Sequence, residues 1–120
     1  MALEDIGINQ GPLHYYSGSH QYPYFMNKDF KHGGKGMFLG KRPYDFYEDS
    51  ISKFVKSNAL KKEIFLAKQG DVLIWHANLL HGGEEHLDKS LSRKSMVFHY
   101  SAKEAICYHE ITQRPALISQ

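Results

Sequence analysis

The feature that most constrains the fold is residues 70–100, where apolar runs alternate with glycine-rich bends. A first apolar stretch ends at His81, and the two glycines Gly82 and Gly83 follow it directly. A second stretch, residues 92–101, is rich in apolar and aromatic side chains. Runs of this length between turn signals predict β-strands, and side chains of successive strands can face a common space. The segment therefore predicts β-structure with a histidine at the end of one strand.

Shorter signals of the same kind extend this interpretation to the rest of the chain. Strands are predicted at residues 13–16, 63–67, 72–75, 79–81, 92–101 and 105–111. Residues 49–60 carry apolar side chains at near-helical spacing, with Asp49 or Ser50 as the N-terminal cap, and predict one helix. Short strands with turn signals and a single helix indicate a mainly β fold, an antiparallel sandwich or barrel.

Length and composition limit the classes of protein to which the chain can belong. A length of 120 residues predicts a single domain over residues 1–120. The net charge of +2 and the lack of Lys/Arg runs longer than two residues exclude the basic footprint of nucleic-acid binding. No apolar run approaches the roughly 18 residues of a membrane span. The single cysteine, Cys107, favours a reducing compartment, and we predict a cytoplasmic location.

Residues 21–60 have the character of an insertion. Residues 21–47 show no clean period and mix aromatic residues with glycine and lysine. In compact domains, loops of this length are more often functional than simple connections. We therefore predict that residues 21–47 form a lid over a substrate and that the helix completes the insertion.

His81 is the sharpest candidate for chemistry. It ends an apolar run, and the glycines after it leave space around its imidazole. Because neutral imidazole is a good ligand for iron, zinc or copper, His81 is a candidate metal ligand. The alternative is a structural histidine that is buried at the strand end and bound to a backbone carbonyl. Residue type and spacing alone leave both interpretations open.

Arg93 and Ser95 lie two residues apart in the next predicted strand, so they are expected to share one face. A guanidinium pairs in bidentate fashion with a carboxylate, and the Ser95 hydroxyl can bind the same group. Both residues are therefore predicted to bind a small molecule that carries a carboxylate. The alternative is a surface strand on which both side chains meet solvent.

Two aromatic side chains are candidates for lining a pocket near these residues. Trp75 ends the predicted strand at residues 72–75, and His99 lies on the same face as Arg93 if the strand at 92–101 is regular. Packing in the core is the alternative for His99. His76, next to Trp75, is expected to pack as a structural residue, with a position facing the pocket as the alternative.

The polar loop after His81 contains residues that look like ligands at first sight. His86 and Asp88 form a His-x-Asp pair, but ligands so close to His81 would come from the end of the same hairpin, so we treat the pair as a decoy. Glu84 and Glu85 are expected to be solvated. Four further histidines have no partner at the sequence spacing of metal ligands: His14, His20, His32 and His109.

Taken together, these motifs resemble the phytanoyl-CoA dioxygenase family of iron(II)- and 2-oxoglutarate-dependent oxygenases. Residues 1–6 (MALEDI), 9–13 (NQGPL) and 17–20 (SGSH) are similar to three successive motifs of the family, with Ser17 where proline is usual. Residues 70–82 and 92–100 resemble the distal half of its active-site barrel. The resemblance covers most of the chain.

The resemblance implies a double-stranded β-helix, the cupin-like jelly roll. It implies that His81 is the distal histidine of a two-histidine, one-carboxylate iron site. It further implies that Arg93 anchors the distal carboxylate of 2-oxoglutarate, with Ser95 as a helper. Fe(II) and 2-oxoglutarate are thus the implied cofactor and cosubstrate, and the implied substrate is a small organic molecule or an acyl compound.

In the family, a His-x-Asp pair supplies the other iron ligands from strands upstream of the segment that begins here at Met1. The resemblance therefore implies an incomplete jelly roll, the C-terminal part of a longer oxygenase, that is inactive by itself. An incomplete sheet leaves an edge unpaired, and such an edge tends to recruit another chain. We therefore predict a homo-oligomer formed through this edge.

Three functional hypotheses remain open. The first is a fragment of a dioxygenase that hydroxylates a small organic or acyl substrate. The second is a metal-independent, cupin-like module that binds a small carboxylate through Arg93. In the third, an active enzyme takes its missing ligands from a second subunit or from other residues of this chain: His14, Glu84, His86 and Asp88.

Overall fold

A computed structural model describes residues 1–24, 43–100 and 102, with the backbone alone at residues 43–46. The Cα positions divide the chain into two compact units. The first consists of Met1–Pro23 and Ala59–Phe98, and the second of Tyr24–Asn58 and His99–Gln120. The single domain over residues 1–120 stays a prediction.

A three-stranded antiparallel sheet organises the first unit. Strand β1 (Leu13–Tyr16) lies in the middle, between β2 (Lys62–Phe65) and β3 (His81–Gly83). The strand predicted at residues 13–16 is confirmed, and the one predicted at 63–67 is confirmed with shifted ends. The aromatic residues of β1 suit a pleated, half-buried surface, which is why this short segment forms a strand.

The N-terminal segment extends the pairing on both sides of the sheet. Isolated bridges join Ala2 to Ser95, Ile6 to Ala67 and Gln10 to His86. Ala2, Ile6 and Ala67 are buried and form a small core, against which Phe65 packs. Because two of these core side chains are only methyl groups, the backbone bridges and polar contacts also hold the segment in place.

The strand predicted at residues 72–75 is wrong. The structure assigns no strand to these residues, and Val72 and Ile74 expose 59% and 89% of their surfaces. The backbone N–H of Ala2 bonds the carbonyl of Asp71 at 2.9 Å, but none of the bridges among the described residues involves residues 72–75. A β-prone sequence forms a strand only where a partner edge accepts its ladder.

The strand predicted at residues 92–101 is also wrong as a regular element. Within the described part of this segment, pairing is confined to the bridge between Ser95 and Ala2. The strand predicted at 79–81 overlaps β3 only at His81, because the pairing with β1 begins there. The strand predicted at 105–111 lies outside the described residues.

The second unit contains the helix α1 (Pro43–Ser57). The prediction of a helix is confirmed, but the predicted cap at Asp49 or Ser50 is wrong, because the helix begins at Pro43. Proline suits a first helical position, since its φ is already helical and its missing N–H is not needed there. At the other end, the side chain of Asn58 donates to the carbonyl of Phe54 at 2.9 Å and satisfies a free helix carbonyl.

These elements confirm the coarser prediction, a mainly β chain with an antiparallel sheet and one helix, for the residues that the structure describes. Most of the predicted lid, at residues 25–42, lies outside them, so the lid stays a prediction. Among the described helical residues, no helix is both long and apolar enough to cross a bilayer.

Candidate functional site

The candidate site is organised by β3, because successive residues of a strand present their side chains to opposite faces of the sheet. The pairing with β1 sets three pairs of residues directly opposite each other: Tyr15 and His81, His14 and Gly82, and Leu13 and Gly83. Directly opposed residues share a face. We call the side with His81 and Gly83 the His81 face, and the side with His14 and Gly82 the His14 face.

The imidazole of His81 is held in one orientation. Its Nδ1 lies 2.8 Å from the carbonyl oxygen of Leu79, and because a carbonyl can only accept, Nδ1 is the protonated nitrogen. In the neutral ring the lone pair is then on Nε2, the atom that can bind a metal. The carbonyl contact of the structural interpretation is therefore compatible with metal binding at the other nitrogen.

Trp75 lies next to this histidine. The ring centroids of Trp75 and His81 are 5.4 Å apart, with the planes tilted by 55°. Trp75 is half-buried, whereas His81 is exposed. The structure thus places the predicted pocket residue Trp75 beside the predicted ligand His81. The indole ring forms an apolar surface on one side of the imidazole.

The guanidinium of Arg93 lies over the His81 face of β3. Its Nη1 donates a hydrogen bond to the carbonyl of Gly11, just before β1. A Cβ placed on Gly83 would lie 3.2 Å from the same Nη1, which puts this atom on the side to which Gly83 points. Residues 81 and 83 are about 6.5 Å apart along the strand, so His81 and the Arg93 guanidinium are neighbours on one face. Arg93 keeps further N–H donors with which it can bind a carboxylate.

Two other predicted site residues are not joined to this pair by the structure. The backbone of Ser95 pairs with Ala2, and its side chain is exposed. His99 is exposed and belongs to the second compact unit. The expected common face of Arg93, Ser95 and His99 depended on a regular strand, which is not present there, and the roles of Ser95 and His99 stay predictions.

A charged cluster of Lys62, Glu84 and His14 occupies the His14 face. The Oε1 atom of Glu84 lies 2.7 Å from Nζ of Lys62 and 2.7 Å from Nδ1 of His14. The prediction that Glu84 is solvated is therefore wrong. The backbone N–H of Glu84 bonds the carbonyl of Pro12 at 2.8 Å, and this contact holds the residue beside β1. Glu85 is exposed, as predicted.

The pKa values of Glu84 and His14 are both lowered, which favours a neutral histidine beside a carboxylate. The hydrogen bond from Lys62 is the largest cause that holds the pKa of Glu84 below its ordinary value. Burial lowers the pKa of His14, although the Glu84 carboxylate acts in the opposite direction. His14 Nδ1 is near Glu84, but it makes no well-aligned hydrogen bond among the described residues. Lys62 is therefore the partner that holds the Glu84 carboxylate.

Sequence reasoning missed this cluster because its members are far apart in the chain and no local spacing joins them. Only the register of β1 with its two neighbours brings residues 14, 62 and 84 together. One signal was present in the glycine pair after His81. We interpreted it as space for the His81 ring, whereas side chains of His14 and Arg93 approach Gly82 and Gly83 instead.

The other histidines of the first unit have separate contacts. His76, which was expected to pack, is exposed, and its Nδ1 accepts the backbone N–H of Asn78 at 3.1 Å. The carboxylate of Asp88 accepts the N–H and hydroxyl of Ser90 at 2.9 and 2.6 Å. Asp88 is thus engaged in a local turn.

The donor set fits 2-oxoglutarate better than it fits iron. Arg93 suits a carboxylate, and His81 suits one coordination position of a metal. A two-histidine, one-carboxylate iron site needs three protein ligands. Across residues 1–24, 47–100 and 102, no three His, Cys, Asp or Glu side chains gather at metal-binding distance. The described residues therefore fit iron through one ligand only.

Comparison with known families assigns the chain to a family. A model of the phytanoyl-CoA dioxygenase (PhyH) family matches residues 1–95, which include β1, β2, β3 and Arg93. The match covers more than half of the 120 residues, and the chain belongs to this family. Membership implies a function of the Fe(II)- and 2-oxoglutarate-dependent oxygenase type. No curated protein and no solved structure matched the chain.

Proposed function

We propose that the chain carries part of the active site of an Fe(II)- and 2-oxoglutarate-dependent dioxygenase that hydroxylates a small organic or acyl substrate. In this proposal His81 is one iron ligand, and Arg93 binds the distal carboxylate of 2-oxoglutarate, with Ser95 as a helper. The observation that carries the proposal is the placement of His81 and the Arg93 guanidinium on one face of β3.

The separation of the two groups supports this assignment. 2-Oxoglutarate has a keto-acid end that chelates a metal and a carboxylate at its other end. A metal ligand and a cationic anchor must therefore stand several ångströms apart and face the same space. The spacing of residues 81 and 83 along β3, about 6.5 Å, meets this condition.

Each residue of the proposed site has a distinct task. When bound, Fe(II) supplies the redox chemistry that activates dioxygen, and the protein binds and orients the reactants. The Leu79 carbonyl fixes the proton of His81 on Nδ1 and leaves Nε2 for coordination. Arg93 offers charge-assisted hydrogen bonds to a carboxylate. Trp75 shields one side of the imidazole from water.

We further propose that the other two iron ligands lie outside residues 1–120, and that the sheet is part of a double-stranded β-helix. Family membership and the antiparallel order β2-β1-β3 support this arrangement. On this view residues 1–120 by themselves bind iron weakly and are inactive, because one imidazole does not make a facial triad.

An anaerobic titration of the chain with Fe(II) and 2-oxoglutarate tests the metal part of the proposal. We expect no visible charge-transfer band that saturates at one iron per chain. A saturating band that disappears in His81→Ala would contradict the proposal that the other ligands lie elsewhere. A saturating band that survives in His81→Ala would overturn the role of His81 itself.

Calorimetry with 2-oxoglutarate alone tests the role of Arg93. Hydrogen bonds to charged groups contribute about 1.5–3 kcal/mol, so Arg93→Ala is expected to weaken binding by roughly ten- to a hundredfold. Lys94→Ala is the matched control, because Lys94 is an adjacent, exposed cation. Equal losses in the two variants would indicate general electrostatic attraction and would contradict a specific role of Arg93.

A metal-independent module for a small carboxylate is the second candidate. The bond from Arg93 to the Gly11 carbonyl favours it, because this contact holds the guanidinium in place without any metal. Such a module predicts that Fe(II) leaves the affinity for 2-oxoglutarate unchanged. The dioxygenase proposal predicts that Fe(II) tightens binding only at the high concentrations that load a single imidazole ligand, and that His81→Ala removes this gain.

Two broader predictions are carried forward as proposals. The single cysteine, Cys107, supports a cytoplasmic location. Exposed apolar side chains in the first unit, such as Ile74 at 89%, support a homo-oligomer. Light scattering on the purified chain tests the second proposal, and a monodisperse monomer would contradict it.

A further inference from the structure

Side chains from other segments approach the two glycines of β3 from opposite faces. A Cβ on Gly82 would lie 2.9 Å from Cε1 and 3.0 Å from Nε2 of His14. A Cβ on Gly83 would lie 3.2 Å from Nη1 of Arg93. These distances leave no room for a methyl group at residue 82. The backbone of β3 is thus enclosed between an imidazole on one face and a guanidinium on the other.

The ring of His14 is largely enclosed in this position. Its side chain is 19% exposed, and its ring meets that of Tyr16 edge-on, with centroids 5.7 Å apart. Its Nδ1 lies 2.7 Å from Oε1 of Glu84, and Lys62 binds the same oxygen at 2.7 Å. Lys62 belongs to β2 and Glu84 directly follows β3, so both neighbours of β1 contribute to the charged pair that lies beside the ring.

We propose that His14 is a positioning residue for the site formed by His81 and Arg93, and that it acts through the backbone of Gly82. The His14 ring limits the movement of β3 toward the His14 face, and Arg93 limits its movement toward the opposite face. Since His81 directly precedes Gly82, a displacement there redirects Nε2 of His81. This inference rests on the proposed function, because it assigns His14 to the same site.

A size-complementation experiment tests the contact. Gly82→Ala introduces a methyl group where the His14 ring lies, and the double variant Gly82→Ala/His14→Ala removes the obstacle. Gly7→Ala is the matched control, because its Cβ would meet only Oε1 of Gln10, at 3.4 Å. We expect Gly82→Ala to weaken 2-oxoglutarate binding by about tenfold, since small displacements of binding groups have large effects. The double variant should recover most of this loss, and Gly7→Ala should bind as the wild type does.

A second readout separates this inference from the proposed function. The nitrogen NMR signals of the His81 imidazole report which ring nitrogen carries the proton, whether or not 2-oxoglutarate binds. We expect Gly82→Ala to change the balance between the neutral tautomer with the proton on Nδ1 and the one with the proton on Nε2. His14→Ala in the double variant should restore this balance. Gly7→Ala should leave the balance unchanged.

The outcomes distinguish two failures. If wild type fails to bind 2-oxoglutarate while the His81 signals respond and recover as expected, the proposed function fails and the contact through Gly82 stands. If Arg93→Ala abolishes binding but Gly82→Ala changes neither affinity nor the His81 signals, the positioning role of His14 is overturned. The role is overturned equally if Gly82→Ala has its effects and the double variant recovers neither.

Discussion

Strand β1 and the segment at residues 92–98 are both predicted as strands from the sequence, but they have different structures. Both carry apolar and aromatic residues that favour extended backbone. Strand β1 forms ladders with β2 on one side and β3 on the other. The segment at residues 92–98 is attached through the bridge between Ser95 and Ala2 and through side-chain contacts. The comparison teaches that available edges, rather than β-propensity, decided which segment became a strand.

The side-chain contacts of this segment also explain how Arg93 is placed. The hydroxyl of Ser92 lies 2.8 Å from both carboxylate oxygens of Glu4, and the backbone N–H of Lys94 donates to one of them at 2.7 Å. Arg93, between them, donates to the carbonyl of Gly11. We call the contacts of the Glu4 carboxylate with Ser92 and Lys94 the acidic clamp. Arg93 is therefore positioned by this clamp and by the Gly11 carbonyl, whereas His81 is positioned by the pairing of β3 with β1.

The largest expected effect on the strand pairing around β1 comes from the replacement of Gly11. Its φ is +66°, and a Cβ there would lie 2.7 Å from the carbonyl oxygen of Glu84. Gly18→Ala is the control, because Gly18 also has a positive φ (+79°) but nothing within 4 Å of the added Cβ. A left-handed backbone costs about 1–2 kcal/mol for a non-glycine residue, and a steric clash typically adds about 1–3 kcal/mol. Gly11→Ala should therefore lower the free energy of unfolding clearly more than Gly18→Ala, in denaturant titrations. Equal losses would contradict the packed turn before β1.

Removal of a cross-strand hydrogen bond should have a moderate effect. The hydroxyl of Tyr15 donates to Oε2 of Glu63 at 3.0 Å, where these two residues face each other in β1 and β2. Tyr15→Phe should lower the free energy of unfolding by about 1 kcal/mol. Tyr16→Phe is the control, because the structure gives its hydroxyl no hydrogen bond among the described residues. If Tyr16→Phe costs as much as Tyr15→Phe, the Glu63 contact does not stabilise the sheet.

The acidic clamp predicts a pH dependence that is confined to the segment at residues 92–98. The backbone hydrogen bond from Lys94 is the largest cause that lowers the pKa of Glu4 below its ordinary value of 4.5. A lowered pKa in the folded chain means that the carboxylate stabilises the folded form above that ordinary value, and that this contribution is lost as the pH falls through the folded pKa. Amide exchange protection of Lys94 should therefore fall in acid before that of β1, whose ladder does not depend on Glu4.

A matched variant isolates the charge of Glu4 in this measurement. Glu4→Gln keeps the size of the side chain, but its amide does not take up a proton as the pH falls through this range. Because the Gln carbonyl can still accept the Lys94 N–H but without the charge, we expect lower protection of Lys94 than in the wild type at neutral pH, and no acid transition. An acid transition that persists in Glu4→Gln would assign the pH dependence to another group.

The smallest expected effect belongs to a solvent-exposed ion pair. Nζ of Lys68 lies 3.0 Å from the carboxylate of Asp5, with side-chain exposures of 80% and 63%. Exposed pairs contribute about 0–1 kcal/mol, so Lys68→Ala should change the free energy of unfolding by less than about 0.5 kcal/mol. Thermal denaturation at low salt checks this value. A larger loss would mean that Lys68 supports the N-terminal segment in a way that its exposure does not suggest.

Local signals predicted part of the fold and of the site. The aromatic run of β1 and the turn residues around it marked the strand at residues 13–16 directly. The cap signals at Asp49 and Ser50 misled the prediction because Pro43 offered an earlier helix start. His81 and Arg93 were identified from residue type and order, and their common face follows from the register.

The rest depended on contacts that no local pattern encodes. Glu84 looks like a loop residue in the sequence, yet the register brings it to His14 and Lys62. The glycine pair after His81 was noticed, but the groups that approach it come from residues 14 and 93. Long-range pairing of this kind is set by the whole sheet. A single sequence therefore predicts the strands and the helix more readily than the residues that contact each other across the sheet.

The most direct test of the central claim, that His81 and Arg93 face one ligand site, is a 2-oxoglutarate titration without metal, followed by NMR. The side-chain signals of Arg93, His81 and His14 are observed together. The account predicts that the Arg93 guanidinium and the His81 imidazole respond with one common affinity, while the His14 imidazole on the opposite face responds weakly. A dominant response of His14, or no response of Arg93 at saturating ligand, would contradict it.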